Sequence, residues 1–230
     1  MNEFLAESLY FGMALSLIGY GAGLALKKKF RYGFLNPLLI SIIFVIVVLK
    51  VLDIDYETYN ASAKYLSYLL TPATVCLAVP LYQQISLLKE NLLAVVLGIV
   101  SGVLASLGGV LVLAMAFGLT HEQYVTLLPK SITTAIGLGV SEELGGITTI
   151  TVAVIIVTGV LGNVIGETVC RIFKISEPIA VGLAFGTSSH AIGTSKALEL
   201  GEIQGAMSSL AIAVAGLLTV VLASVFANFL

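Results

Sequence analysis

Long apolar runs without a single charge, separated by short polar clusters, set the pattern of this chain. Residues 8–26, 32–49, 65–88, 91–120, 144–166 and 203–230 contain no Asp, Glu, Lys, Arg or His. Each run reaches or approaches the ~20 residues that a helix needs to cross ~30 Å of hydrocarbon. Two more stretches, 123–141 and 178–198, are apolar but interrupted by polar residues. The pattern predicts an all-α polytopic membrane protein with about six full transmembrane helices and two broken or re-entrant segments.

Composition supports the bilayer as the folding solvent. Of the 230 residues, 58% are apolar and 10% charged, and the mean hydropathy is +1.08. A soluble domain carries about a quarter charged residues, so too little polar surface exists here to face water. The net charge of −2 leaves no basic face for nucleic acid. Cys76 and Cys170 sit in apolar runs without ligand-like spacing, which predicts two buried thiols and no metal or disulfide. Nothing in the motifs calls for a cofactor.

Loop charges predict the orientation. Glu3 and Glu7 precede the first run, and Lys27, Lys28, Lys29 and Arg31 follow it. Those flanks are wrong for a cleaved signal peptide and place the N-terminus outside, because basic clusters stay in the cytoplasm. Asp53, Asp55 and Glu57 then fall outside, Lys89 inside, and His121 and Glu122 outside. If 123–141 crossed fully, Arg171 and Lys174 would lie outside. A re-entrant segment returns them to the cytoplasm, as the positive-inside bias prefers. Pro129, Gly137, Gly139, Gly145 and Gly146 interrupt helix there. Irregular backbone at membrane depth is tolerated only where it is buried in protein or lines a cavity.

The two interrupted stretches resemble each other. SITTAIGLGVSEELGGI (131–147) aligns without gaps on TSSHAIGTSKALELGEI (187–203) at an offset of 56, matching Ala135/Ala191, Ile136/Ile192, Gly137/Gly193, Glu143/Glu199, Leu144/Leu200, Gly145/Gly201 and Ile147/Ile203. Each copy precedes a full apolar run. One re-entrant segment plus one span crosses the membrane once, so consecutive copies face opposite ways, the inverted repeat used by many secondary transporters. The expected organisation is one membrane domain. It comprises an N-terminal pair of helices (1–64), a faint repeat copy (65–120), repeat A (123–173) and repeat B (178–230).

Candidate chemistry concentrates in these copies. Lys130, Ser131, Thr133, Thr134 and Gly137 come from the first, and Ser188, Ser189, His190, Gly193, Thr194 and Lys196 from the second. Ionisable groups at depth are functional candidates, and helix breaks expose N–H groups that attract anions. Cations, hydroxyls and helix ends together describe a small-anion site. Without a deep arginine to clamp phosphate, a carboxylate fits best. His190, which titrates close to neutral pH, Glu143 and Glu199 are the candidates for proton coupling. Each also has a structural reading: lysines snorkel, a histidine ties helices together, glutamates end helices, and hydroxyls bond backbone carbonyls. Serine–histidine or serine–lysine catalysis is disfavoured, because adjacent helical residues point ~100° apart and no partner acid is evident. The chain is not expected to be an enzyme.

Three stretches, LLTPATVCLAVPLYQQ (69–84), LLPKSITTAIGLGVSEELGG (127–146) and GLAFGTSSHAIGTSKALELGEIQGAMSS (182–209), together with FLNPLLIS (34–41), resemble the LrgB/CidB family over nearly the whole chain. The second stretch is worded closer to the CidB side. The resemblance implies a multi-pass protein of the bacterial cell membrane that works with a small LrgA/CidA-type membrane partner. It implies two functions: holin/antiholin-like control of murein hydrolase activity and lysis, and carriage of small monocarboxylates such as pyruvate or glycolate. It supplies no binding residues, so the site above rests on the residues alone. A carrier calls for paired broken segments around buried cations, which a simple pore does not. That reading is the leading expectation, with a homo-oligomer or the partner completing so small a chain.

Overall fold

The computed structural model describes residue 8, residues 10–30 and residues 36–230, and it is helical throughout. Four helical stretches are long and apolar enough to span a bilayer: Tyr56–Gln83, Leu92–Phe117, Thr148–Ile172 and Glu202–Phe229. The chain is thus an all-α membrane protein. Two of the six expected runs form other helices. Residues Phe11–Phe30 make a helix of 20 residues whose last turn carries Lys27, Lys28 and Lys29, and Pro37–Val51 is a shorter apolar helix. Glu3, Glu7 and Arg31, on which the orientation rests in part, lie outside the described residues, as does the start of the FLNPLLIS stretch.

The chain divides into two compact units, Met1–Cys76 and Leu77–Leu230. In the first, α1 (Phe11–Phe30) packs on α2 (Pro37–Val51) and α3 (Tyr56–Ala63). Its buried face is Gly12, Leu15, Gly19 and Gly23, a helical spacing of small residues that lets backbones approach. A Cβ on Gly23 would sit 2.5 Å from the Pro37 carbonyl oxygen, and the Gly12 N–H donates to Ser62 Oγ at 2.7 Å. Asn36 caps α2 ahead of Pro37 at N1, and Asp55 caps α3, both standard helix starts. A 3₁₀ turn and α4 (Leu70–Cys76) complete the unit. Cys76 is exposed, contrary to the expectation of two buried thiols; an apolar run in a membrane protein can bury its side chains in lipid instead of protein.

The second unit holds α5 (Ala78–Gln83), α6 (Ile85–Glu90), α7 (Leu92–Phe117), α8 (His121–Leu127), α9 (Thr134–Glu143), α10 (Thr148–Ile172), α11 (Pro178–Leu200) and α12 (Glu202–Phe226). Its core joins the α7 face Val95, Ile99, Val103, Leu107, Val110 and Ala114 to Ala206, Met207, Ala211 and Ala215 of α12. The opposite face of α7 exposes Leu97, Leu104, Val112 and Leu113, as a helix bordered by lipid does. Helix α11 packs against α10, α12 and α7.

Candidate functional site

Both interrupted stretches are broken, each in its own way. In the first, Thr120 caps α8 through a reciprocal box with Gln123. Pro129, lacking an N–H, then helps to stop the helix. Residues 128–132 form turns, with Lys130 N bonded to Leu127 O at 3.1 Å and Ile132 N to Pro129 O at 3.3 Å. Helix resumes at Thr134, with Thr133 extended before it and no side-chain cap. The expected interruption at 178–198 is a continuous run of helix α11 kinked inside, where Ser189 (φ −136°, ψ 15°) and His190 (φ 42°, ψ −139°) leave helical geometry. His190 has a positive φ with an extended ψ, a sparsely populated conformation that costs a residue bearing a Cβ about 1–3 kcal/mol. Under the 56-residue offset, Thr134, the first residue of α9, pairs with His190, the second of the two non-helical residues of the kink, so the two breaks fall within one residue of each other.

A cavity of about 990 Å³ in the second unit receives residues from both breaks: Lys130 and Ser131 from the first, Thr187, Ser188 and Ser189 from the second. Helix α7 adds Gly98, Ser101, Gly102, Ala105 and Ser106, and α10 adds Thr158, Gly162, Gly166 and Cys170. These are small residues at i, i+3/i+4 and i+7/i+8 spacing, and their smallness makes both the room and the close packing. A Cβ on Gly102 would lie 2.7 Å from Thr187 Oγ1, one on Gly162 would clash with Ser189 Oγ, and one on Gly166 would lie 2.5 Å from the Phe185 ring.

Lys130 is the cation of this cavity. Its Nζ donates to Ser131 Oγ at 2.8 Å and to Ser106 Oγ at 3.4 Å, and Ser106 donates to Ser131 at 2.9 Å. Among the described residues it has no carboxylate partner, the ion pairs there being those of Glu167, Arg171, Lys196 and Glu199. The argument that adjacent residues point apart holds within a helix. Lys130 and Ser131 sit in a turn, which is why their side chains meet. Ser188 and Ser189 supply a second hydroxyl pair, 2.9 Å apart.

The cavity has a direction. Asn91, Cys170 and Glu177 line it at one end, where α7 and α11 begin and α10 finishes. The eleven steps from Glu177, the N-cap of α11, to Ser188 span roughly 16 Å at 1.5 Å each, so the lining reaches from a helix end to mid-helix. At the far end of α10, hydroxyls are buried and fully occupied. Ser141 Oγ and Thr151 Oγ1 are 2.7 Å apart, Thr151 donates to Thr126 O at 2.9 Å, and Ile147 N donates to Thr126 Oγ1 at 2.8 Å. The positions paired with Thr126, Ser141 and Thr151 by the offset are Gly182, Ala197 and Met207, also buried.

The remaining expected residues lie elsewhere. His190 is buried, and its Nε2 is 3.0 Å from Ile155 O, with the ring seated where a Cβ on Gly159 would be 2.7 Å away. Thr194 bonds His190 O at 3.0 Å and Ser208 Oγ at 2.7 Å. Gly193 admits the kink, since its Cβ would be 2.8 Å from Phe185 O, and Gly137 packs under Ile155. Lys196 pairs with Glu167 at 3.2 Å and Glu199 at 3.7 Å. Glu143 is exposed at the end of α9, ahead of Gly145 (φ 79°), while Thr133 and Thr134 are half-buried at its start. No cluster of metal-ligating residues occurs among the described residues. Sequence reasoning missed Ser106, Gly102, Thr158 and Gly162; the periodic small residues of α7 and α10 were the available signal.

The fold and cavity define the class: a multi-pass α-helical membrane protein with two helix breaks meeting at one largely apolar pocket that holds a lysine and a few hydroxyls. The chain belongs to the LrgB-like family, whose pattern matches residues 16–229. It is similar to the antiholin-like protein LrgB of Bacillus mycoides, of Bacillus cereus and of Bacillus anthracis, 40% identical to each over 222 residues, 96% of both chains. No solved structure gives a significant match.

Proposed function

We propose that this chain acts as an antiholin-like regulator in a bacterial cell membrane, restraining murein hydrolase activity and lysis together with an LrgA/CidA-type partner. The observation that carries this reading is 40% identity over 96% of the chain to proteins named antiholin-like. The test is autolysis and zymographic hydrolase activity in a bacterium lacking its own copy, complemented with this chain alone and with the partner. Complementation that leaves both readouts unchanged overturns it.

A second reading is favoured by Lys130, a cation among hydroxyls in a cavity fed by both breaks. Here the chain carries small monocarboxylates through an inverted repeat, with the N-terminus outside and the vestibule facing the cytoplasm beside Arg171 and Lys174. Lysis then responds to carboxylate flux. Uptake of labelled pyruvate and glycolate into proteoliposomes, with and without the partner, tests it. Dye release without carboxylate selectivity would replace the carrier with a pore.

A further inference from the structure

At about 990 Å³, the cavity stands at the upper end of the ~300–1,000 Å³ typical of sites for drug-sized ligands. A three-carbon acid held at Lys130 would occupy a small part of it. The rest would be water against Ile165, Val169, Ile179 and Leu183, which line the stretch between Lys130 and the helix ends. Covering such walls with an alkyl chain removes apolar surface on both sides from water. Glu177, exposed at the mouth, disfavours a ligand whose carboxylate points outward.

We propose that the vestibule binds an amphipathic monocarboxylate. Its head lies at Lys130, Ser131 and Ser106, and its alkyl tail runs along the apolar walls toward Cys170 and Glu177. The proposal rests on Lys130 being an anion site and adds the tail. Octanoate is the probe, against acetate, butyrate and hexanoate, with the matching alkyltrimethylammonium ions as controls for disturbance of the bilayer.

The experiment measures N-ethylmaleimide modification in phosphatidylcholine vesicles at two single thiols. Ile165→Cys, exposed on the cavity wall between Lys130 and the helix ends and made with both native cysteines replaced by serine, reports the tail. Ala105→Cys, exposed on the cavity wall beside Ser106 and made with both native cysteines replaced by serine, reports the head. All four acids should slow reaction at position 105, with the half-effective concentration falling about fourfold per methylene that enters the vestibule. Only hexanoate and octanoate should slow it at position 165. Lys130→Gln should remove both effects, and Ala180→Phe at the mouth should flatten the chain-length dependence while sparing acetate. Protection at position 105 without protection at position 165 overturns the tail and leaves the anion site standing. No protection at either position overturns both. Equal protection by the octyl cation overturns the carboxylate head.

Discussion

Replacing Lys130 by methionine separates a lysine kept for a ligand from one kept for the fold. The ammonium touches only the Ser131 and Ser106 hydroxyls, at 2.8 and 3.4 Å. Those two hydroxyls bond each other at 2.9 Å, so its removal orphans neither. What disappears from the folded protein is a half-buried charge with no opposite charge beside it. Exchanging it for a flexible apolar side chain of similar length should be neutral or stabilising, by about 1 kcal/mol or more. A bound carboxylate, in contrast, loses a charge-assisted contact worth about 2–3 kcal/mol, or roughly 30- to 150-fold in affinity. Stability and binding should therefore move in opposite directions. Thermal unfolding followed by far-ultraviolet circular dichroism gives the first; concentration-dependent uptake in proteoliposomes gives the second. Lys196→Gln is the contrast. Lys196 is partly exposed and pairs with Glu167, which keeps Arg171 at 3.1 Å, so its loss should cost under about 1 kcal/mol and leave uptake intact. A Lys130→Met protein that is clearly less stable yet transports with wild-type kinetics would refute the reasoning and make Lys130 a packing residue.

Three further outcomes are expected. Gly162→Ala would drive a methyl into Ser189 at the kink of α11 and should cost about 1–3 kcal/mol. Gly139→Ala, with nothing within 4 Å, should be neutral or gain up to ~1 kcal/mol of helix propensity, and equal stability of the two variants would contradict the packing. Asp55 accepts from Thr58 N at 2.7 Å and Thr58 Oγ1 at 2.8 Å, and these bonds hold its carboxyl below the ordinary carboxylate range. A depressed folded value means that the cap's contribution is complete above the ordinary range and is lost as pH falls from there through the lower folded value. Amide exchange at Thr58 should quicken on acidification, whereas in Asp55→Asn, which also caps, it should not; identical profiles would remove Asp55 as the titrating cap. Finally, Ser176→Cys, in a chain lacking Cys76 and Cys170, should resist an impermeant thiol reagent applied to intact cells, and ready labelling would put the α10–α11 loop outside.

The apolar runs alone determined that this chain is helical and lives in a bilayer, because the requirement to satisfy every backbone group in lipid leaves few alternatives. Pro129 likewise marked the first break, and Lys130 as a costly residue was legible from its surroundings in sequence; Gly137 and Gly139, expected to interrupt helix, lie inside α9, because a glycine weakens a helix without forbidding it. Other features depended on the path of the chain through space. The break in α11 falls at Ser189–His190, residues with no intrinsic helix-breaking chemistry, and it persists because α10 offers Gly159 and Gly162 to receive the ring and the hydroxyl. Lys130 and Lys196 read alike in sequence, yet one faces hydroxyls in a cavity and the other two carboxylates on a helix surface. His190, the most suggestive titratable group, points at the Ile155 carbonyl. Periodicity says which residues share a helix face; which face meets which neighbour is fixed by packing between helices far apart in the chain, and that packing gave the cavity its floor.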